Sequence, residues 1–486
     1  MRHGGDVPMA HPGRALALGF VALAVFVLVA VAVGRAPDMA AARQAPAVLR
    51  GLARLPSAAR GPIAAALARD APGSFLQRGE LTASHGVSGE EFGESVAISG
   101  NTIVVGTPNY VDPATNVEQG AAYVFTKPAS GWAHVTQTAR LTAARGQSEE
   151  LFGACVSISG DTIVVGAPFR AVGGHAGQGV AYVFVKRAAG WRSATPAAEL
   201  TAARGATDQF FAESVAVSGA TIVAGVPGGT VGGHALQGAA DVFTRPASGW
   251  SGSLTERAVL RAADGLPGDA LGDSVAISGA TIVAGADRHA VAGAADAGAA
   301  YVFVEPARGW TSATQTAELT APAGAAGDHL GEAVAVSGAT VLAGAPGRAV
   351  GGNAAQGAVY VFARPASGWG GPLSEAAELT AADGAKDDAL GRPLAISGDV
   401  VVAGSRFTEV ANSIDQGAAY VFARPAAGWV SATQTAELTA ADGATGDSLG
   451  RAVAVSGGTV VVAAPDHRVG RKLAQGAVYV FISTPI

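Results

Sequence analysis

Six carboxylates recur at one place in this 486-residue chain. Glu90, Glu150, Asp269, Asp328, Asp388 and Asp447 each stand two residues before a Phe or Leu that opens a repeated phrase. A seventh copy carries Gln209 there, with Asp208 beside it, and three copies add a second acid in an Ala-Asp-Gly turn, Asp264, Asp383 and Asp442. Carboxylates repeated in this way would form a ring on one face, able to hold a weakly bound cation or to act as an acidic rim selecting basic ligands. The same residues in solvated loops would only cap turns. Sequence leaves both readings open.

A second series lies further along each copy, in segments that differ most among the repeats, such as "NYVDPATNVEQ", "FRAVGGHAGQ", "DRHAVAGAADA" and "DHRVGRKLAQ". Arg170, His289, Arg348 and His467 occupy equivalent places there, Tyr110 lies in the first such segment, and Arg288, Arg406 and Arg468 adjoin the row. Function on repeat scaffolds concentrates in loops of this kind, although drift within one chain gives the same variation. His175 and His234 share the phrase "GGH" in adjacent copies, but two histidines without a third ligand make a poor zinc site. Cys155, the single cysteine, excludes an internal disulfide and stands where other copies carry Ser95, Ser214, Ser274 or Ala333, as a small packed residue would. No H-E-x-x-H, G-x-S-x-G, G-x-x-x-x-G-K-[ST] or cysteine pair is present, so no catalytic, cofactor or metal residue is assigned and the chain is not expected to be an enzyme. Two carboxylates on separate copies could still do acid–base work, which keeps a hydrolase or lyase with carboxylates at a channel mouth as the alternative.

The elements that must position these side chains come from the repeat itself. The opening Phe or Leu falls at 92, 152, 211, 271, 330, 390 and 449, a spacing of 59 or 60, and an aromatic YVF (DVF at 241) keeps the same beat. Periodicity this strict predicts a repeat architecture over residues 75–486. Each copy reads as four short strands, as in "GEAVAVSG", "TVLAGAP", "QGAVYVFARP" and "SEAAELTA", with Gly and Pro turns between. The strands are apolar on both faces, so each small sheet must be covered on both sides. Seven four-stranded antiparallel blades stacked around an axis meet that demand, giving an all-β seven-bladed propeller. The ends of the array are unequal: the first "GELTA" follows no Gly-Trp turn, and the last copy stops at "GAVYVFISTPI". The strand around "FLQRGELTA", with Leu76 and Leu81, is therefore expected to complete the last blade and close the ring.

The phrase "FGESVAISGNTIVVGTP…GAAYVF" (92–125) resembles the FG-GAP repeat of integrin alpha-subunit propellers, and especially its bacterial relatives, over the whole stretch from about 75 onward. The resemblance implies a seven-bladed propeller on the cell surface or outside the cell, used for binding and adhesion. It also implies Ca²⁺ in the turn between first and second strands. Here those turns are "SGNT", "SGDT", "SGAT", "SGDV" and "SGGT", too tight and too poor in oxygen ligands for a cation that takes six to eight, so no cofactor is expected. Asp161 and Asp399 in these turns read as turn formers.

Glycine at 68 residues is about twice its usual share. Residues 1–74 carry eight Arg against three Asp, which leaves −11 for the rest of a chain whose total is −6. A body this acidic argues against nucleic acid as a partner. "ALALGFVALAVFVLVAVAVG" (15–34) has no charge in 20 positions, long enough as a helix to span a bilayer. Residues 1–34 are thus expected to be a membrane anchor or a cleaved signal, 35–74 an Ala/Arg/Pro-rich linker, and 75–486 an exported, monomeric propeller that binds a protein or polysaccharide. The arginines following the span oppose export under the positive-inside rule.

Overall fold

The run Thr281–Ala286 (TIVAGA) is apolar on both faces, and in the computed structural model all six of its residues are buried. The structure describes residues 74–484 apart from 134. The expected hydrophobic helix at 15–34, and the linker except its last residue, lie outside the described residues. The described elements are all strands, and no helix among them is long and apolar enough to cross a membrane.

The compact unit Gln77–Ile482 is a seven-bladed β-propeller. The innermost strands of blades 1 to 7 are Ser95–Ser99, Cys155–Ser159, Val215–Ser218, Val275–Ser278, Val334–Ser337, Leu394–Ser397 and Ala452–Ser456. Blade 4 shows the common plan: Val275–Ser278, Thr281–Ala286, Ala299–Val304 and Ala317–Leu319 pair antiparallel in chain order. In blade 7 the order from outside inward is Phe75–Leu81, Ala477–Ser483, Thr459–Ala464 and Ala452–Ser456. Outside the compact unit, the Thr484 amide donates to the Ser74 carbonyl at 2.7 Å.

Four blades are wider than expected. After each Gly-Trp turn the chain visits the outer edge of the preceding blade before returning as its own fourth strand. Gly252–Thr255 thus pairs parallel with Ala198–Thr201 of blade 2. Ala313–Thr314 adds to blade 3, Gly371–Leu373 to blade 4 and Ala432–Thr433 to blade 5 in the same way. The fifth strand covers an edge that would otherwise expose unpaired backbone groups. Glutamines fasten the crossing: Gln315 Oε1 accepts from the Ala263 amide and Gln434 Oε1 from Ala382, both at 2.9 Å. Gln77 does the same for Ala441 at 3.0 Å.

The Ser-Gly of each first turn has a specific task. Ser99 Oγ accepts from the Gly160 amide of the next blade, and the pattern continues through Ser159, Ser218, Ser278, Ser337 and Ser397 to Ser456, which accepts from Gly100. All seven bonds are 3.1–3.2 Å. The glycines sit at φ between 55° and 60°, which a Cβ would disfavour. The Phe-Gly and Gly-Ala-Pro phrases meet across the seam between blades: a Cβ on Gly225 of blade 3 would fall on the Gly272 carbonyl of blade 4, and Gly285 stands likewise to Gly331.

The apolar core is a series of seams. One joins Val223, Val242 and Leu260 of blade 3 to Ile282, Tyr301 and Phe303 of blade 4. Another holds Leu81, Val461 and Val478 of blade 7 against Phe92, Ile103 and Phe125 of blade 1. Leu81 is fully buried and Leu76 only half so. Five of the six tryptophans are buried as packing anchors. The Cys155 thiol donates to the Ala212 carbonyl at 3.1 Å, and burial pushes it up to about 12, so it stays protonated.

Candidate functional site

Each loop between the second and third strands is hydrogen-bonded to the segment leading into the next blade, as in Gly268 N to Ala235 O, Gly327 N to Ala295 O and Gly446 N to Ile414 O. Both residue series singled out from the sequence therefore lie at the same end of the propeller, and there they converge. In blade 4 the His289 Nδ1 is 2.8 Å from Asp269 Oδ2 and its Nε2 is 3.8 Å from Asp264 Oδ2. In blade 7 His467 repeats this with Asp447 at 2.8 Å and Asp442 at 3.7 Å. Arg170 meets Glu150 at 2.5 Å, and Arg348 meets Asp328 at 3.3 Å.

The acids expected on an open rim, Glu90, Glu150, Asp269, Asp328, Asp388 and Asp447, are buried. Two kinds of bond hold five of them inward. Each of the four aspartates caps the turn three residues before it, Asp269 accepting from the Leu266 amide at 2.7 Å, with Asp328, Asp388 and Asp447 doing likewise. Glu150 and three of the aspartates also pair with the loop residue of their own blade, a position that is Thr408 in blade 6. Burial raises the pKa of Glu90, Glu150 and Asp388 above the usual carboxylate range.

Two further positions complete the pocket, and the sequence reading passed over both. The Tyr of YVF and the Glu of ELTA are cross-strand partners: Tyr182 with Glu199, Tyr301 with Glu318, Tyr360 with Glu378 and Tyr420 with Glu437. Their signal was present as the regular beat of the two phrases, but only strand register places them together. Tyr479 Oη donates to Asp442 at 2.9 Å and Tyr360 Oη to Glu378 at 3.3 Å. Tyr301 and Tyr420 are fully buried, and their hydroxyls lie beside Asp264 and Thr408 without a well-formed hydrogen bond.

The blades fill this pocket differently. In blade 5 the Arg348 guanidinium lies between Asp328 and Glu378, the latter 3.6 Å away. In blade 1 Arg140 donates to the Tyr110 hydroxyl at 2.5 Å and stacks over its ring. In blade 6 Asp383, Glu437 and Asp388 all act on Tyr420, with Thr408 in place of a cation. Blade 3 has lost the set: Asp241 replaces the tyrosine, Val259 the glutamate and Gly229 the loop residue. His234 and Asn353, from the "GGH" and "GGN" phrases, bond the carbonyls of Gly265 and Gly384, a stitching role rather than a metal site.

Nearer the axis lies a second charged set, on the residues just after the Phe-Gly element. Arg392 pairs with Glu332, and Arg451 with Glu94, each across a blade seam. Burial, followed by the charges of Asp287 and Glu213, pushes Asp273 up to about 7.

The repeat description agrees with comparison against known families. The FG-GAP repeat matches residues 75–125, 135–184, 254–303, 313–362, 373–422 and 432–481, more than half of the chain. A comparison with curated proteins finds no match. Six matched repeats on a seven-bladed scaffold, with the Phe-Gly and Gly-Ala-Pro elements meeting at the seams, place this chain in the FG-GAP repeat family.

Proposed function

We propose that the chain is a binding module whose loop end recognises a protein or a polysaccharide outside the cytoplasm, with residues 15–34 anchoring or exporting it. One observation carries the reading. Among the described residues nine large apolar side chains are exposed, and seven of them (Val87, Phe169, Leu236, Leu266, Phe407, Ile414 and Leu473) lie in the loops of that end. Solvent-facing apolar groups gathered on one face mark contact surfaces. Phe169 stacks on Phe210 at 5.3 Å, and the Arg406 guanidinium lies over the Phe407 ring at 4.5 Å, so the surface offers flat faces as well as charge. We further infer that Phe75–Leu81 acts as the fastener of the circle, since Gln77 and Leu81 repeat contacts that later copies make within the array.

A second reading, acid–base hydrolysis at the axial mouth, draws support from Asp273, whose carboxyl is poised near neutral pH among Glu213, Asp287 and Glu332. The binding reading is tested by applying the full chain to a polysaccharide array and to cell-envelope extract. The comparison variants are Phe169→Ser/Phe407→Ser/Ile414→Ser/Leu473→Ser at the loop end and Val185→Ser/Val430→Ser at the other. Capture should fall roughly tenfold or more for the first only, as expected when contact residues worth above ~1 kcal/mol are lost. Equal capture by both variants would remove the loop end from consideration.

A further inference from the structure

Among the described residues, blades 4 and 7 share a pocket that no other blade has. Asp264, His289 and Glu318 in blade 4, and Asp442, His467 and Glu80 in blade 7, present donor atoms that all lie within 4.8 Å of one another. In each, the imidazole Nδ1 is held by a buried carboxylate, Asp269 or Asp447, at 2.8 Å. With a proton on Nδ1 for that bond, the Nε2 lone pair is turned toward two more carboxylates. Acceptor facing acceptor is repulsive unless a proton or a metal ion sits between them. Carboxylate-held imidazole of this form is the usual support of a histidine metal ligand, because it fixes the tautomer and raises basicity.

Two other observations point the same way. The Tyr301 hydroxyl is completely buried and lies beside Asp264 as its twin Tyr479 lies beside Asp442, but without a well-formed hydrogen bond there. In blades 1, 2 and 5 the corresponding space already contains a guanidinium, from Arg140, Arg170 or Arg348. Where the loop residue is histidine, two carboxylates face it with no arginine between; blade 6 also gathers carboxylates without an arginine, but around Thr408 and so without an imidazole. Asp264 and Asp442 keep about half of their side-chain surface in solvent, 41% and 50%, so an ion has access.

The geometry points to a divalent transition-metal ion of the zinc type at each of these two pockets, bound by His289 Nε2 with Asp264 and Glu318, and by His467 Nε2 with Asp442 and Glu80. Separations of 3.8 and 3.7 Å between Nε2 and the Asp oxygen are within a few tenths of an ångström of the ~3.3–3.6 Å spanned by two ligands at ~2.0–2.2 Å from one tetrahedral ion, with water in the fourth position. One imidazole and two carboxylates favour zinc over the all-oxygen preference of Ca²⁺ or Mg²⁺. In blade 7 the ion would join Glu80 of the first strand to the last blade.

The test is equilibrium dialysis of the full chain, freed of metal by chelator, against Zn²⁺ at pH 7.5, with bound zinc counted. Two ions per chain are expected, one in His289→Gln and none in the His289→Gln/His467→Gln double variant. Glu318→Gln and Glu80→Gln, at less buried positions, should each weaken one site if the histidine variants fold poorly. Asp269→Asn should weaken the blade 4 site roughly 10- to 100-fold. Thr408→His should create a third site, since Asp383, Asp388 and Glu437 already stand around it in blade 6. No stoichiometric zinc, or two ions retained in the double histidine variant, would overturn the assignment.

Discussion

Blades 3 and 4 are neighbours on one scaffold and differ in almost everything at the loop end. Both pair their second and third strands over six residues in the same register, and both bury the phenylalanine of that third strand, Phe243 and Phe303. At the pocket, blade 4 has Tyr301, Glu318, His289 and Asp269, whereas blade 3 has Asp241, Val259, Gly229 and Gln209. Gln209 nevertheless caps its turn as Asp269 does, accepting from the Ala206 amide at 3.0 Å. The blade is therefore specified by glycines, apolar strands and a turn cap, and the charged pocket is a separate layer that one blade can shed without losing its fold.

The seam between these two blades is where the comparison breaks most sharply. Gly225→Ala would drive a methyl into the Gly272 carbonyl, in backbone that cannot rotate away, and should cost about 3 kcal/mol or more in chemical denaturation. Blade 7 carries Ala463 at the matching place, with Gly93 opposite, where an added Cβ would stand 3.0 Å from the Ala463 methyl. A mild effect of Gly225→Ala would mean that all seams can widen as that one has.

Asp241 provides the next test. Burial, then Glu256, holds its carboxyl up at about 8, whereas an unfolded aspartate titrates near ~3.9. The folded state thus keeps a proton that the unfolded chain releases, and stability falls as pH rises from about 4 through about 8. Asp241→Asn lacks this penalty. Its advantage over the parent should be absent below about pH 4 and reach on the order of a few kcal/mol by pH 8. Parallel denaturation curves at all pH values would show that the site is better solvated than its burial implies.

The smallest effect is expected at Ala212, which holds φ 68° where the six sister blades place glycine at φ 92° to 108°. Ala212→Gly relieves a left-handed alanine worth ~1–2 kcal/mol but gives up a buried methyl worth ~0.8 kcal/mol and some chain entropy. Net stability should change by less than about 1 kcal/mol. A loss above about 2 kcal/mol would show that blade 3 has come to depend on the methyl.

Much of this molecule could be read before any coordinates. The 59- or 60-residue beat, the two-faced apolar strands and the Gly-Pro turns sufficed for seven blades, because each is a local pattern repeated until only one kind of packing covers every face. The same reading took Glu90 and its counterparts for surface groups, since a loop acid looks solvated until its partners are known. It treated Tyr110, Arg170, His289, Arg348 and His467 as a separate binding series for the same reason. It also missed the fifth strands, because two residues such as Ala313–Thr314 carry no periodicity to detect.

Sequence alone determined the number of blades, the place of the glycines at turns and seams, and the end of the propeller where variation gathers. Those follow from chain geometry that acts within a few residues. Tertiary structure alone decided that an acid, a loop residue, a tyrosine and a glutamate from distant parts of a repeat would share one pocket. That the blade 7 glutamate comes from Glu80 was already implied by the unequal ends of the array, but its meeting with Asp442 and His467, more than 350 residues later, was decided by the fold. Such meetings depend on strand register and on the seams between blades, which no stretch of chain encodes by itself.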